Sequence, residues 1–141
     1  MNLDITEQDK AYLAGIIDGE GCIGIGVQAP KSPTSSPRHI ARLIVAQSDE
    51  DFLTRLRDRW GVGSVQLKSN STEKHRAGYV WEVTSKNCAK ILEQCLPYLV
   101  MKRPQADGVI ELEQSKINGR NKKLSQEDLE YRDWIKDSVS N

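Results

Sequence analysis

Glu20 closes the run "AYLAGIIDGEG", Ala11 to Gly21, in which Ala11, Gly15 and Gly19 recur every four positions. On a helix that spacing puts the three small residues on one face, beside an apolar stripe of Leu13, Ile16 and Ile17. Small residues on one face let a second helix backbone approach closely. The glycine pair by itself favours tight packing against the chain's own sheet; the acid at the end of the stripe shifts the weight towards a second helix. Glu20 follows the helix, read as Glu7 to Asp18, with a glycine on each side that lets the backbone turn sharply and approach a ligand. Where two such helices lie side by side, two carboxylates and two free carbonyls converge. These are hard oxygen donors, the ligand chemistry of Mg²⁺. Two such ions about 3.5–4 Å apart would activate an attacking water and stabilise the leaving oxygen of a phosphodiester. One chain offers one helix end, so this chemistry calls for a partner copy.

The elements that must position Glu20 follow from periodicity and caps. Thr6 and Asp9 form a capping-box pattern that opens the first helix. "CIGIGVQ" and "RHIARLIVAQ" alternate with period two and flank the Pro/Ser-rich loop "PKSPTSSP", which predicts a hairpin with a long polar tip. "DEDFLTRLRDRWG", Asp49 to Gly61, has acids at its start, arginines towards its end and a stopping glycine, and reads as a helix. "VGSVQLKS" and "YVWEVTS" predict a second hairpin, Asn87 to Leu96 a third helix, and Pro104 the first turn of a fourth. After the break "NGRNKK", Ser125 and Asp128 cap a last helix with Leu129, Trp134 and Ile135. The expectation is a single α+β domain over residues 1–141 with antiparallel pairing, in which about 116–141 is a peripheral loop and helix.

The chain has 141 residues and no net charge, but its charge is unevenly placed. Met1 to Pro30 holds five acidic residues against one basic, and Lys31 to Arg103 holds 13 basic against seven acidic. An acidic start beside a basic middle suits metal ions held against phosphates; a solvated mixture without purpose is the alternative. Of the three cysteines, Cys88 and Cys95 fall seven apart on one helix face and read as buried thiols of a reducing compartment, not a bridge or zinc site. No apolar run nears the ~18 residues of a membrane span, and the N-terminus has neither the basic region nor the apolar core of a signal segment. The expectation is a chain that starts near Met1, has no membrane partner and works inside a cell, in the cytoplasm or an organelle.

"LAGIIDGEG", Leu13 to Gly21, resembles the signature of the LAGLIDADG homing endonucleases, and one copy in a short chain resembles the homodimeric members. The order helix–hairpin–helix–hairpin–helix, "WGVGSV" (Trp60 to Val65) and "PYLVMKRPQA" (Pro97 to Ala106) extend the similarity over Ile5 to Ser115. The resemblance implies the αββαββα fold with an antiparallel sheet saddle, and Mg²⁺-dependent, site-specific cleavage of double-stranded DNA across the minor groove, leaving 3′ overhangs. It implies Mn²⁺ as a substitute and Ca²⁺ as an ion that binds without cleavage. Residue by residue, it makes Glu20 a catalytic metal ligand and Gly19 the adjacent carbonyl ligand. Gln47 positions water or metal, and Lys102 polarises the solvent around the scissile phosphate. The dimer interface would hold Ala11, Gly15, Asp18 and Gly19, with Asp18 chiefly stabilising the helix end. The family often has a basic residue shortly after the position of Gln47. Here "SDED", Ser48 to Asp51, leaves that role unfilled, with Arg103 as the candidate substitute. A splicing maturase that binds RNA and a catalytically silent DNA-binding module are the rival readings.

Alternation separates two faces in each strand. Gly24, Gly26 and Gln28 oppose Ile23, Ile25 and Val27; Arg38, Ile40, Arg42 and Ile44 oppose Leu43 and Val45; Ser64, Gln66 and Lys68 oppose Val65 and Leu67. In the fourth strand Tyr79, Trp81 and Val83 are the expected core set. The polar sets would form the DNA-reading saddle, because a β-ribbon fits the major groove and Gln or Arg can bridge two atoms of a base edge. Same-face residues stand about 6.7 Å apart, close to two base-pair steps of ~3.4 Å. Lys31, Ser32, Lys74, His75 and Arg76 on the hairpin tips would reach flanking bases or phosphates, and Arg120, Lys122 and Lys123 would hold the backbone at the periphery. A bland half-exposed sheet and solvated basic loops are the alternatives.

Overall fold

A computed structural model describes residues 1–68, 78–116 and 124–140. Its elements are α1 (Glu7–Glu20), β1 (Gly21–Gln28), β2 (Arg38–Gln47), α2 (Glu50–Trp60), β3 (Ser64–Leu67), β4 (Tyr79–Thr84), α3 (Ser85–Cys95), α4 (Arg103–Ser115) and α5 (Gln126–Ser140). The α+β antiparallel expectation holds. The two hairpins join through β2 and β4 into one four-stranded sheet of order β1-β2-β4-β3.

The caps form where the sequence places them. Thr6 Oγ1 accepts from Asp9 N at 3.2 Å, and Asp9 Oδ2 accepts from Thr6 N at 2.9 Å, which satisfies two free helix donors reciprocally. The same Asp9 carboxylate pairs with Arg59 at 2.6 Å, which ties α1 to the end of α2 and holds the Asp9 carboxyl far below the usual carboxylate range. Asp49 accepts from Phe52 N to open α2, and Gly61 closes it in the left-handed conformation at φ 75°. Ser125 and Asp128 cap α5 in the same reciprocal way as Thr6 and Asp9.

Period-two alternation becomes a one-sided sheet. His39, Ala41, Leu43 and Val45 on β2, with Trp81 and Val83 on β4, lie under the helices, while the opposite face carries no helix. The aromatic set of β4 is core, as expected: Trp81 is 0% exposed and donates its indole N–H to Val62 O. Cys88 and Cys95 are buried, which pushes both thiols up to about 12. Two expectations are corrected. Leu67, assigned with Val65 to the core side, is 57% exposed, because β3 is a four-residue edge strand and Leu67 ends it.

The C-terminal segment is not peripheral. α5 packs on α4 and β1, with Ile135 and Val139 in the core. The Val139 methyl closes so tightly on Gly108 that a Cβ there would stand 2.5 Å from it. His39, which the sequence did not single out, is buried and bonds Asp133 of α5 at 2.8 Å, while Lys116 links its carbonyl to Glu113. Trp134 on the same helix is largely exposed and stacks on Tyr131. Among the described residues no helix is long and apolar enough to cross a membrane.

Candidate active site

α1 runs two residues further than its predicted end at Asp18, so Glu20 is its last residue and not a loop residue beyond it. The chain passes into β1 at Gly21 with no connecting loop. Gly21 is extended (φ −78°, ψ 158°), and a Cβ there would stand 2.8 Å from Ile17 Cα and 2.9 Å from Ile17 O. A glycine is therefore required by close approach, not by a left-handed turn.

This helix end is an electrostatic anomaly. Asp18 and Glu20 both stand at the negative end of the α1 dipole, and no basic residue lies in its last turn. A reciprocal clamp handles half of the problem. The Asp18 carboxylate accepts the consecutive N–H groups of Val100, Met101 and Lys102 at 2.8, 3.1 and 3.0 Å. In return, Lys102 Nζ donates to Ile17 O at 2.8 Å, to Asp18 O at 3.3 Å and to Gly21 O. The carbonyls that end one helix and the N–H groups that lead into α4 thus satisfy one another through one acid and one lysine.

Asp18 is thereby committed within its own chain. Its carboxylate ties the end of α1 to the segment 100–102. The Lys102 ammonium likewise sits on carbonyls at the base of the site. Asp18→Asn would keep the shape but weaken three charge-assisted bonds. It should lower stability by about 1.5–3 kcal/mol in chemical unfolding; an unchanged midpoint would count against the clamp.

Glu20 stays outside this clamp and is exposed. The register sets Gly21 opposite Val45, so Gln47 at the end of β2 comes alongside the last turn of α1. Gln47 Nε2 donates to Glu20 Oε2. Structure therefore joins Glu20 and Gln47 directly, with Lys102 behind them under the same helix end.

The face that leads to Glu20 is bare. Ala11, Gly15 and Gly19 are exposed, and nothing in the chain lies within 4 Å of a Cβ built on Gly15 or Gly19. The small-residue stripe is thus not spent on the chain's own sheet. A groove of about 690 Å³ follows it, edged by Tyr12, Ile16 and Phe52 and ending at Glu20, Gln47 and Asp49. The "SDED" stretch has a structural use: Asp49 caps α2, and Glu50 and Asp51 complement the positive end of its dipole. Arg103 is exposed at the start of α4 and makes no hydrogen bond or ion pair among the described residues.

A resident divalent cation fits half a site here. One free carboxylate, the last carbonyls of α1 and the Gln47 amide form an all-oxygen, hard donor set suited to Mg²⁺. Among the described residues no group of three or more His, Cys, Asp or Glu side chains could hold a metal.

The open sheet face begins beside this end. Gly24, Gly26 and Gln28 pair with Arg42, Ile40 and Arg38, and Ile44 pairs with Cys22 on one side and Glu82 on the other. Ser64 and Gln66 lie on the same face of β3, and Lys68 follows it, still bonded to Gly78. Lys31 and Ser32 are exposed in the β1–β2 loop. Lys74, His75, Arg76, Arg120, Lys122 and Lys123 lie outside the described residues. The polar alternation predicted the exposed face correctly, and Cys22, Ala46, Val80, Glu82 and Thr84 complete it.

Fold and site together describe a one-sided α+β domain whose bare helix ends in a free acid. Residues 13–102 match the profile of the LAGLIDADG endonuclease family, and the chain belongs to that family. Solved structures share the fold. I-CvuI, in complex with its target in the presence of 2 mM Ca, superimposes with a TM-score of 0.80 at 23% identity over 95% of this chain and 81% of that one. The archaeal intron-encoded homing endonuclease I-Vdi141I, complexed with DNA, gives 0.78 at 16% identity over 95% and 83%. I-SmaMI, bound to cleaved DNA, gives 0.74 at 20% identity over 92% of this chain but only 43% of that one. No curated protein matches the chain.

Proposed function

We propose that the chain is a homodimeric, Mg²⁺-dependent homing endonuclease that cuts both strands of a long, near-palindromic DNA site across the minor groove, leaving 3′ overhangs. The observation that carries this reading is the bare Ala11–Gly15–Gly19 stripe ending in an exposed Glu20. A second α1 packed along it would bring two Glu20 carboxylates and two sets of α1 carbonyls together. The match spans less than half of I-SmaMI.

Each residue then has a task. Glu20 and the Gly19 carbonyl hold the cation, and Gln47 orients the Glu20 carboxylate and the water beside it. Lys102 holds the α1 carbonyls in place and lends positive charge beneath the phosphate. Mg²⁺, when bound, supplies charge to activate water and to stabilise the leaving oxygen; Mn²⁺ would replace it, and Ca²⁺ would support binding alone. The open sheet face lies in the major groove, where Gln28, Arg38, Arg42 and Gln66 meet base edges and Ile40 and Ile44 meet thymine methyls. Lys31 and Ser32, with the basic residues of 74–76 and 120–123, contact the flanks.

The test is the mass of the protein on duplex DNA together with cleavage of a randomised duplex library. A library is the right substrate, since I-CvuI leaves the I-CreI target uncleaved in 2 mM Mg. Two chains per duplex, with cutting in Mg²⁺ and binding without cutting in Ca²⁺, is the expected result. One chain per duplex, or no cut species in Mg²⁺, contradicts it.

A further inference from the structure

The open face carries three basic side chains, Arg38, Arg42 and Lys68, and among the described strand residues a single acidic one, Glu82. Its place is set by register. Glu82 stands opposite Ile44 on β2 and Ser64 on β3, and Ile44 stands opposite Cys22 on β1. The row Cys22–Ile44–Glu82–Ser64 thus crosses the whole sheet, starting two residues after Glu20 at the catalytic end. Trp81 and Val83 on either side are buried, so Glu82 faces the open side.

Among the described residues nothing accounts for a carboxylate there. Glu82 makes no side-chain hydrogen bond and no ion pair among the described residues. Its in-register neighbours are an isoleucine and a serine. Arg42, the diagonal neighbour, leans the other way: its guanidinium carbon is 3.8 Å from where a Cβ on Gly26 would be.

A lone carboxylate on a surface that meets a polyanion is repelled unless a base donates to it. In the major groove only the amino groups of cytosine and adenine donate, while guanine and thymine present acceptors and a methyl. A carboxylate only accepts. Adenine sets its N7 acceptor beside its amino group, which opposes the second carboxylate oxygen; cytosine N4 has no such neighbour.

We propose that Glu82 is a specificity-determining residue that selects cytosine at one inner position of each half-site, near the cut. This rests on the DNA-reading function proposed above. The experiment is selection from a randomised duplex library with the wild type, Glu82→Gln and Arg42→Gln, the last to map the position read one row further out. The wild type should enrich cytosine at one symmetric pair of inner positions. Glu82→Gln should weaken that preference about tenfold and move it towards adenine, whose N6 and N7 a glutamine bridges, with the outer positions unchanged. An unaltered profile, or an alteration at the position that Arg42→Gln changes, overturns direct readout by Glu82 while leaving the nuclease reading intact. If the wild type enriches no sequence, the DNA-reading function itself falls and takes this inference with it.

Discussion

Glu20→Gln should bind duplex DNA with near-native affinity and should not cut it. The substitution preserves shape and one side-chain oxygen but removes the charge that holds the cation. Losing one well-placed electrostatic stabiliser costs roughly 10²–10³-fold in rate. In a dimer both copies are lost at once, so cleavage should fall below detection. Affinity should survive, because the proposed base-reading surface is the sheet, not the helix end.

A second signature separates this from general damage. Glu20 stands at the negative end of the α1 dipole together with Asp18, so neutralising it relieves a repulsion of about 0.3–1 kcal/mol. The variant should therefore be as stable as the wild type or slightly more so. Single-turnover cleavage, a binding titration in Ca²⁺ and a thermal melt check the three parts. Retained cutting would remove Glu20 from the chemistry.

Gly15→Leu should leave a folded monomer. Gly15 is exposed in the middle of α1, and nothing in its own chain lies within 4 Å of a Cβ built there. Leucine is a good helix former, so α1 itself gains about 1 kcal/mol over glycine. Between two helices in backbone contact, the same side chain has nowhere to go. Overpacking of about 1–3 kcal/mol raises the dimer dissociation constant by roughly tenfold to 10²-fold. Gly15→Ala should show the same opposition on a smaller scale, with a stiffer helix and a weaker dimer. Sedimentation at several concentrations, with and without DNA, measures the first effect, and a melt under monomeric conditions the second. A Gly15→Leu protein that pairs and cuts as well as the wild type would place the interface elsewhere.

Both results turn on features of very different range in the chain. The capping box at Thr6 and Asp9, the small-residue face of α1, the start of α4 at Pro104 and the two faces of every strand were readable from the sequence. Each depends on residues within a turn or a few pleats of one another, where 3.6- and two-residue periods speak directly. The family was legible for the same reason, since its signature is nine consecutive residues, Leu13 to Gly21. Leu67 broke the periodic rule because it ends an edge strand.

What periodicity could not show is which polar group meets which. Asp18 and the N–H groups of 100–102 are more than 80 positions apart, and so are Lys102 and the α1 carbonyls. Only the docking of the segment 100–102, which leads into α4, against the end of α1 reveals that the lysine and the first acid clamp the helix end and leave Glu20 outside the clamp. Gln47 meets Glu20 because the β1–β2 register brings it there. The last helix, which looked peripheral, is fixed by Ile135, Val139 and the His39–Asp133 bond, all long-range contacts.

The chain by itself thus determined its local elements, their faces and its family. Tertiary structure decided the two extra residues of α1, the sheet order and the partners of each charge. The reason is physical: backbone and side-chain periods act over a few residues, whereas hydrogen-bond and ion partners are chosen only when distant segments are packed together.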